Sequence, residues 1–178
     1  MKSTRTAATL GVSLAIALTP MFAWGNWTQW RGAERDGVAA ASVTAPSWPE
    51  ALTLEWREEI GAGHATPVVA DGLIYTHSRQ GGDEVVSCLR LDTRDVVWRK
   101  AYPAPYEMNP AARGHGPGPK ASPSLANGVL VTFGISGILS AYVVESGDLL
   151  WRHRYEDRFG ATAPVFGAAM SPLVDGKK

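Results

Sequence analysis

One cysteine, Cys88, is all the thiol chemistry this 178-residue chain carries. A lone thiol closes no intramolecular disulfide and builds no cysteine-rich metal site, so stability has to come from packing even in an oxidising compartment. An excess of either charge is missing as well, with 17 Lys and Arg against 17 Asp and Glu. Without a basic field nothing draws in a polyanion, which excludes nucleic acid as the expected partner, and no acidic block marks a disordered tail. Long amphipathic helical patterns are hard to place. No apolar stretch reaches the roughly 20 residues that a membrane span requires.

Turn residues and indoles are what the chain has instead: 19 Gly, 12 Pro and 7 Trp in a composition that is 45% hydrophobic. That combination points to a globular all-β protein of short strands and many turns. Residues 1–25 read as a signal peptide, with Lys2 and Arg5 as a positive region and Ala7 to Leu18 as a short apolar core. Pro20 follows, and Ala23-Trp24-Gly25 offers small residues for a cut before Asn26. No cysteine follows that cut, which excludes a lipoprotein anchor. The expected location is periplasmic or secreted, with no membrane span after cleavage. The mature chain carries 15 basic against 17 acidic residues, since Lys2 and Arg5 leave with the leader.

Self-similarity is the next signal. ATPVVADGLIYTHSRQGGDEVVSCLRLDTRDVVWRK, from Ala65 to Lys100, aligns with ASPSLANGVLVTFGISGILSAYVVESGDLLWRHRY, from Ala121 to Tyr155. Met170-Ser171-Pro172-Leu173-Val174-Asp175-Gly176 opens a third copy. In each copy an Asp-Gly or Asn-Gly pair, Asp71-Gly72 or Asn127-Gly128, sits between apolar runs, the strongest short-range signal for a two-residue hairpin. A glycine turn follows, then the runs Val85 to Leu91 and Ile138 to Val144, then a last strand holding Trp98 or Trp151. Trp98 follows Trp56 by 42 residues and Trp151 follows Trp98 by 53. Four-stranded units near that period read as propeller blades.

The expected fold is therefore a partial β-propeller of four-stranded antiparallel blades, about two blades and the start of a third. Residues 26–51 form a lead-in segment and residues 52–178 the incomplete propeller domain. Leu52 to Ile60 resembles the tryptophan strand of a preceding blade. The stretches 102–120 and 156–169 are expected as loops on a rim. Because Asp175-Gly176-Lys177-Lys178 lies inside an expected hairpin turn, the chain reads as the N-terminal fragment of a longer protein.

The glycine-rich loop from Arg113 to Lys120 presents Arg113, His115 and Lys120, and a histidine on such a loop can act as ligand or base near neutral pH. The same glycines and prolines suit a crossing where backbone passes close to a neighbouring strand. No Lys-Ser/Thr pair follows the glycines, so a nucleotide-phosphate loop is not indicated. His64 and His77 are expected at strand ends, and no histidine pair has zinc-site spacing with a third ligand. Metal ligands and catalytic residues are therefore expected to be none.

The second repeat resembles the pyrroloquinoline-quinone-like (PQQ-like) β-propeller repeat family. Its blade motif A-x-D-x-x-T-G-x-x-x-W falls on Ala141, Val143, Ser146, Gly147 and Trp151, with serine for threonine and valine for aspartate. In the first repeat Asp92-Thr93 and Trp98 carry the likeness, and Trp98 lies six residues after Asp92 where the family pattern has eight. WTQWRGAERDG, Trp27 to Gly37, is similar to the opening of secreted members, and its Arg31, Arg35 and Asp36 either contact a ligand or tie the segment down. The resemblance implies that Trp56, Trp98 and Trp151, with Ala141 and Gly147, dock blade to blade, each indole packing on its neighbour. It implies a fold rather than a quinone. Two functions stay open: a non-catalytic exported binding or scaffold module with a protein partner and no cofactor, or the N-terminal part of a PQQ-dependent oxidoreductase using the quinone with calcium.

Overall fold

The computed structural model describes residues 25–39, 47–160, 164–176 and 178. The leader read at residues 1–25 lies outside the described residues except for Gly25. Two four-stranded antiparallel sheets follow one another along the chain, in the orders β1-β2-β3-β4 and β5-β6-β7-β8. The first comprises β1 (Val68–Ala70), β2 (Leu73–Gln80), β3 (Asp83–Arg90) and β4 (Val96–Pro103). The second comprises β5 (Ser124–Ala126), β6 (Val129–Phe133), β7 (Ile138–Val143) and β8 (Leu149–Arg154). The strands pair in sequence order through hairpins, which makes each sheet an up-and-down blade, and the two do not close into a ring. A 3₁₀ helix (Pro110–His115) lies in the connection between blades and α1 (Tyr155–Phe159) follows the second.

Local chemistry sets the blade ends. Asp71 and Gly72 hold φ of 51° and 76°, and Asn127 and Gly128 hold 53° and 73°, the doubly left-handed pair that a tight hairpin matching the strand twist requires. The β3–β4 and β7–β8 turns are also alike. Thr93 and Ser146 each donate to the carboxylate two residues on, Asp95 and Asp148, both at 2.8 Å. Arg94 N bonds Arg90 O at 2.9 Å as Gly147 N bonds Val143 O at 2.8 Å.

This equivalence corrects the spacing read for the first repeat. Cys88 pairs with Trp98 just before a bulge, and Ala141 pairs with Trp151 just before the same bulge. The motif positions Ala141, Val143, Ser146, Gly147 and Trp151 are thus matched by Cys88, Arg90, Thr93, Arg94 and Trp98, and no residue of the turn is missing. Asp92 misleads because it looks like the motif's aspartate, whose place Arg90 holds. Arg94, at φ 65°, stands where the second blade has Gly147 at 69°.

Leu52 to Ile60 forms no strand. Its end lies against the first blade, where the Ser78 hydroxyl and the Gln80 amide both donate to Ile60 O. The third copy forms no strand either, yet it follows β5 of the second blade: Ser124 Oγ donates to Pro172 O at 2.5 Å and Asn127 Nδ2 to Gly176 O at 3.0 Å. The hydroxyl that opens each repeat links one copy to the next, because Thr66 N donates to Ser122 Oγ at 3.1 Å and Ser122 N to Ser171 Oγ at 2.9 Å.

Period-two alternation puts Tyr75, Val86, Cys88, Trp98 and Tyr102 on one face of the first blade, and the second blade packs Leu130, Ile138 and Tyr142 against it. At one end of this seam the Trp98 indole lies on Gly147, where a Cβ would stand 2.6 Å from the ring. Its Nε1 donates to Val144 O at 2.9 Å, and Lys100 pairs with Asp148 beside it at 3.2 Å. Trp151 holds the equivalent place on the second blade but is 38% exposed against 7% for Trp98. Trp98→Ala is expected to cost the full chain about 3–5 kcal/mol, whereas Trp151→Ala costs about 1 kcal/mol or less. Urea unfolding checks this, and equal losses at the two sites would contradict the docking geometry.

Candidate functional site at the loop end of the blade seam

Up-and-down blades send their connections to alternate ends. The β1–β2 and β3–β4 turns share one end, where Leu91 N bonds Gly72 O at 2.9 Å. The β2–β3 and β6–β7 hairpins share the other end with the connections between blades. Polar chemistry gathers there.

Its centre is Glu84, fully buried at the start of β3. Oε2 accepts from the Tyr102 hydroxyl at 2.6 Å, and Oε1 accepts from the Ile135 amide of the second blade at 2.8 Å. His77 Nε2 lies 3.5 Å from Oε2 and 3.1 Å from the Tyr102 hydroxyl. The carboxylate fills the space where a Cβ on Gly134 would stand, so the β6–β7 turn is shaped to receive it. Across the seam the Arg152 guanidinium sits 3.8 Å over the Tyr102 ring and donates to the Tyr142 hydroxyl at 2.8 Å. A buried charge is tolerable only when its lone pairs are satisfied, and here both oxygens are engaged. Burial alone would raise the Glu84 carboxyl. The hydrogen bond and charge of His77, the Tyr102 hydroxyl and the Ile135 amide outweigh it and hold the group below its ordinary 4.5. Tyr102 moves the other way, pushed up by burial and by Glu84.

The residues singled out from the sequence do not converge on this cluster. Arg113 and His115 face solvent from the 3₁₀ helix, whose first turn is capped by Asn109 Oδ1 accepting from Ala111 N at 2.9 Å. The His115 carbonyl is taken by His64 Nε2 at 2.7 Å, while Lys120 Nζ is turned away to Phe166 O at 2.5 Å. Gly118 packs so closely on Ala62 O that no side chain fits between them. The loop is thus a close crossing that shows two of its three polar side chains outward. His77, expected at a strand end, lies buried inside β2. Glu84 escapes a reading of the sequence because a carboxylate beside a glycine turn looks like an exposed hairpin residue. The signal that could have found it is register: His77, Glu84 and Tyr102 fall on one face of one sheet.

A quinone held over calcium would need a cradle of oxygen ligands. Among the described residues no three His, Cys, Asp or Glu side chains are grouped to hold a metal ion. Glu84, the buried carboxylate at this end, already has both oxygens bonded. On its far face the second blade carries an apolar groove of about 960 Å³, bordered by Val131, Phe133, Leu139 and Trp151 on one side and Leu173 on the other.

Four-stranded antiparallel units joined by a tryptophan laid on a glycine turn are propeller blades, and this is a blade-repeat protein. A family profile described as outer membrane protein assembly factor BamB (PQQ_2) matches residues 82–178, more than half of the chain, and the protein belongs to that PQQ-repeat family. No curated protein sequence matches it. Among solved structures it is similar to a europium-containing methanol dehydrogenase, with 20% identity over 52% of this chain and a TM-score of 0.36. It is similar also to the quinohemoprotein alcohol dehydrogenase of Comamonas testosteroni, with 20% identity over 53% of this chain and a TM-score of 0.37. A third is quinohemoprotein alcohol dehydrogenase ADHIIG of Pseudomonas putida HK5, with 15% identity over 51% and a TM-score of 0.30. The matched stretch spans 16%, 13% and 20% of those proteins. No helix among the described residues is long and apolar enough to cross a membrane.

Because the Glu84 carboxyl is held below 4.5 in the folded chain, its contribution is complete above that value and is lost as pH falls through the folded value. Glu84→Gln is expected to lose about 3 kcal/mol near neutrality and to flatten the acid limb of stability. Thermal unfolding of the full chain at pH 7 and at progressively lower pH reads both effects. An acid limb unchanged in the variant would refute the assignment.

Proposed function

We propose that this chain belongs to an exported propeller that works as a non-catalytic binding or scaffold module for a protein partner. The observation that carries the reading is the fate of Glu84. In a catalytic cleft a buried carboxylate with histidine and tyrosine neighbours would keep an oxygen free for a substrate. This one spends both oxygens on its own blade and the next. Membership of a family described as an outer membrane assembly factor supports the same reading, and the leader-like residues 1–25 support export to the periplasm or beyond. Arg113 and His115, held outward by a loop that is fastened on both sides, offer the partner a fixed polar surface at the loop end.

The experiment has two arms. Titrating the full chain with pyrroloquinoline quinone and Ca²⁺ is expected to give no spectral change and no dye reduction with alcohols or sugars, and either signal would overturn the non-catalytic reading. Affinity capture from a periplasmic extract is expected to recover a partner that the Arg113→Ala/His115→Ala variant fails to hold. Equal recovery by the variant removes the loop from the account.

A further inference from the structure

Among the described residues five that are not glycine hold a positive φ: Arg31, Arg35, Asp71, Arg94 and Asn127. Asp71 and Asn127 belong to the tight hairpins that need this conformation. The other three are arginines, and each lies over an indole. Arg31 and Arg35 both stand 5.5 Å from the centre of Trp30, and Arg94 stands 5.8 Å from that of Trp56. Left-handed backbone costs an L-residue about 1–2 kcal/mol, so it persists where the surroundings enforce it. Blade register accounts for Arg94, which takes the place of a turn glycine. No register acts on Arg31 or Arg35.

What enforces their shape is a loop fastened to all three repeats. Trp27 exchanges backbone bonds of 2.7 and 2.9 Å with Val69 of β1, Thr28 O accepts from Leu125 N of β5 at 2.7 Å, and Arg35 donates to Pro172 O of the third copy at 3.2 Å. Within the loop Gln29 Nε2 donates to Ala33 O at 2.7 Å and Gly37 N to Arg31 O at 2.9 Å. Trp30 is left 43% exposed on this platform.

The charges are unspent. Arg31 uses one terminal nitrogen, on Asp36 O at 2.7 Å, and Arg35 uses one, shared between Gln29 Oε1 at 3.1 Å and Pro172 O at 3.2 Å. All of these acceptors are neutral. Among the described residues the ion pairs are His77 with Glu84 and Lys100 with Asp148, and neither includes these arginines. The acids of the loop do not neutralise them: Asp36 turns its carboxylate to Val38 N at 2.8 Å, and Glu34 is exposed and pairs with none of the described residues. A guanidinium stacked on an indole keeps an N–H edge free for bidentate bonding to a carboxylate. Two of them within 5.5 Å of the centre of one ring offer two such edges around it, and the indole adds apolar area at little entropic cost. With guanidinium groups over the ring, the surface offered is N–H edges more than bare indole, which favours carboxylates over a sugar stacked on the ring.

We propose that Trp30, Arg31 and Arg35 form a docking site for an extended acidic segment, rich in Asp and Glu, on a partner protein. The proposal rests on the binding-module reading and gives that partner a chemistry. The test uses the full chain and a fluorescein-labelled decapeptide of Asp and Glu, with the Asn and Gln peptide of the same pattern and heparin as comparisons. The acidic peptide is expected to bind, to weaken with rising salt, and to lose about tenfold or more in affinity in Arg31→Ala/Arg35→Ala. Arg31→Lys/Arg35→Lys, which keeps the charge, is expected to recover only part of it. Equal binding of the neutral peptide, tighter binding of heparin, or affinity unchanged by the arginine variants overturns the proposal. The wild-type comparisons need no variant to fold. If the peptide fails while a partner is still captured, this site falls and the binding-module reading stands; if the peptide fails and no partner is captured, the reading itself falls.

Discussion

Gly147 has no side chain because the indole of Trp98 occupies the space where one would stand. Around that contact the two blades are matched over the whole length of their seam. Trp98 and Lys100 hold the turn end, an apolar middle of Val86, Cys88, Leu130 and Tyr142 follows, and Glu84 closes the loop end. Neither sheet has a second layer of its own, so each face stays wet unless a neighbouring blade covers it. The seam is therefore the core of this protein, and what each strand carries toward it decides whether the chain folds.

The same constraint explains why the chemistry at the loop end is structural in form. Glu84, His77, Tyr102 and Arg152 would suit an acid–base site in an open cleft, yet at this seam Glu84, His77 and Tyr102 contact one another, Glu84 also takes the Ile135 amide, and Arg152 lies over the Tyr102 ring and bonds the Ser140 and Tyr142 hydroxyls. A carboxylate reaching from one blade to an amide of the next fixes the relative height of the blades. The hydroxyls of Ser122 and Ser171 do the same where the second and third copies open. In the proposed function, recognition would fall to side chains held outward by fastened loops, on the lead-in segment and on the crossing between blades.

Much of the architecture was legible in the sequence, because blade construction depends on local chemistry. The Asp71-Gly72 and Asn127-Gly128 pairs, the alternation of the strands and the spacing of the indoles point to four-stranded blades. The alignment of the first repeat was not legible. Asp92 imitates a motif residue, and only strand pairing shows that Cys88 and Arg94 fill the alanine and glycine places. Glu84 was hidden for a related reason: its burial is caused by Tyr102 and Ile135, which lie 18 and 51 residues away. Leu52 to Ile60 has the alternation of a strand but finds no sheet edge among the described residues, which shows that alternation states an ability to pair and not a partner.

Native-state hydrogen exchange, resolved by residue, tests most directly the claim that the seam is the core. The Ile135 amide in the second blade, bonded to Glu84 of the first, is predicted to exchange through the same opening as the amides of β2 and β3, with one shared dependence on denaturant. Protection that survives in β2 and β3 while Ile135, β6 and β7 exchange freely would show two blades standing alone, and would contradict the account.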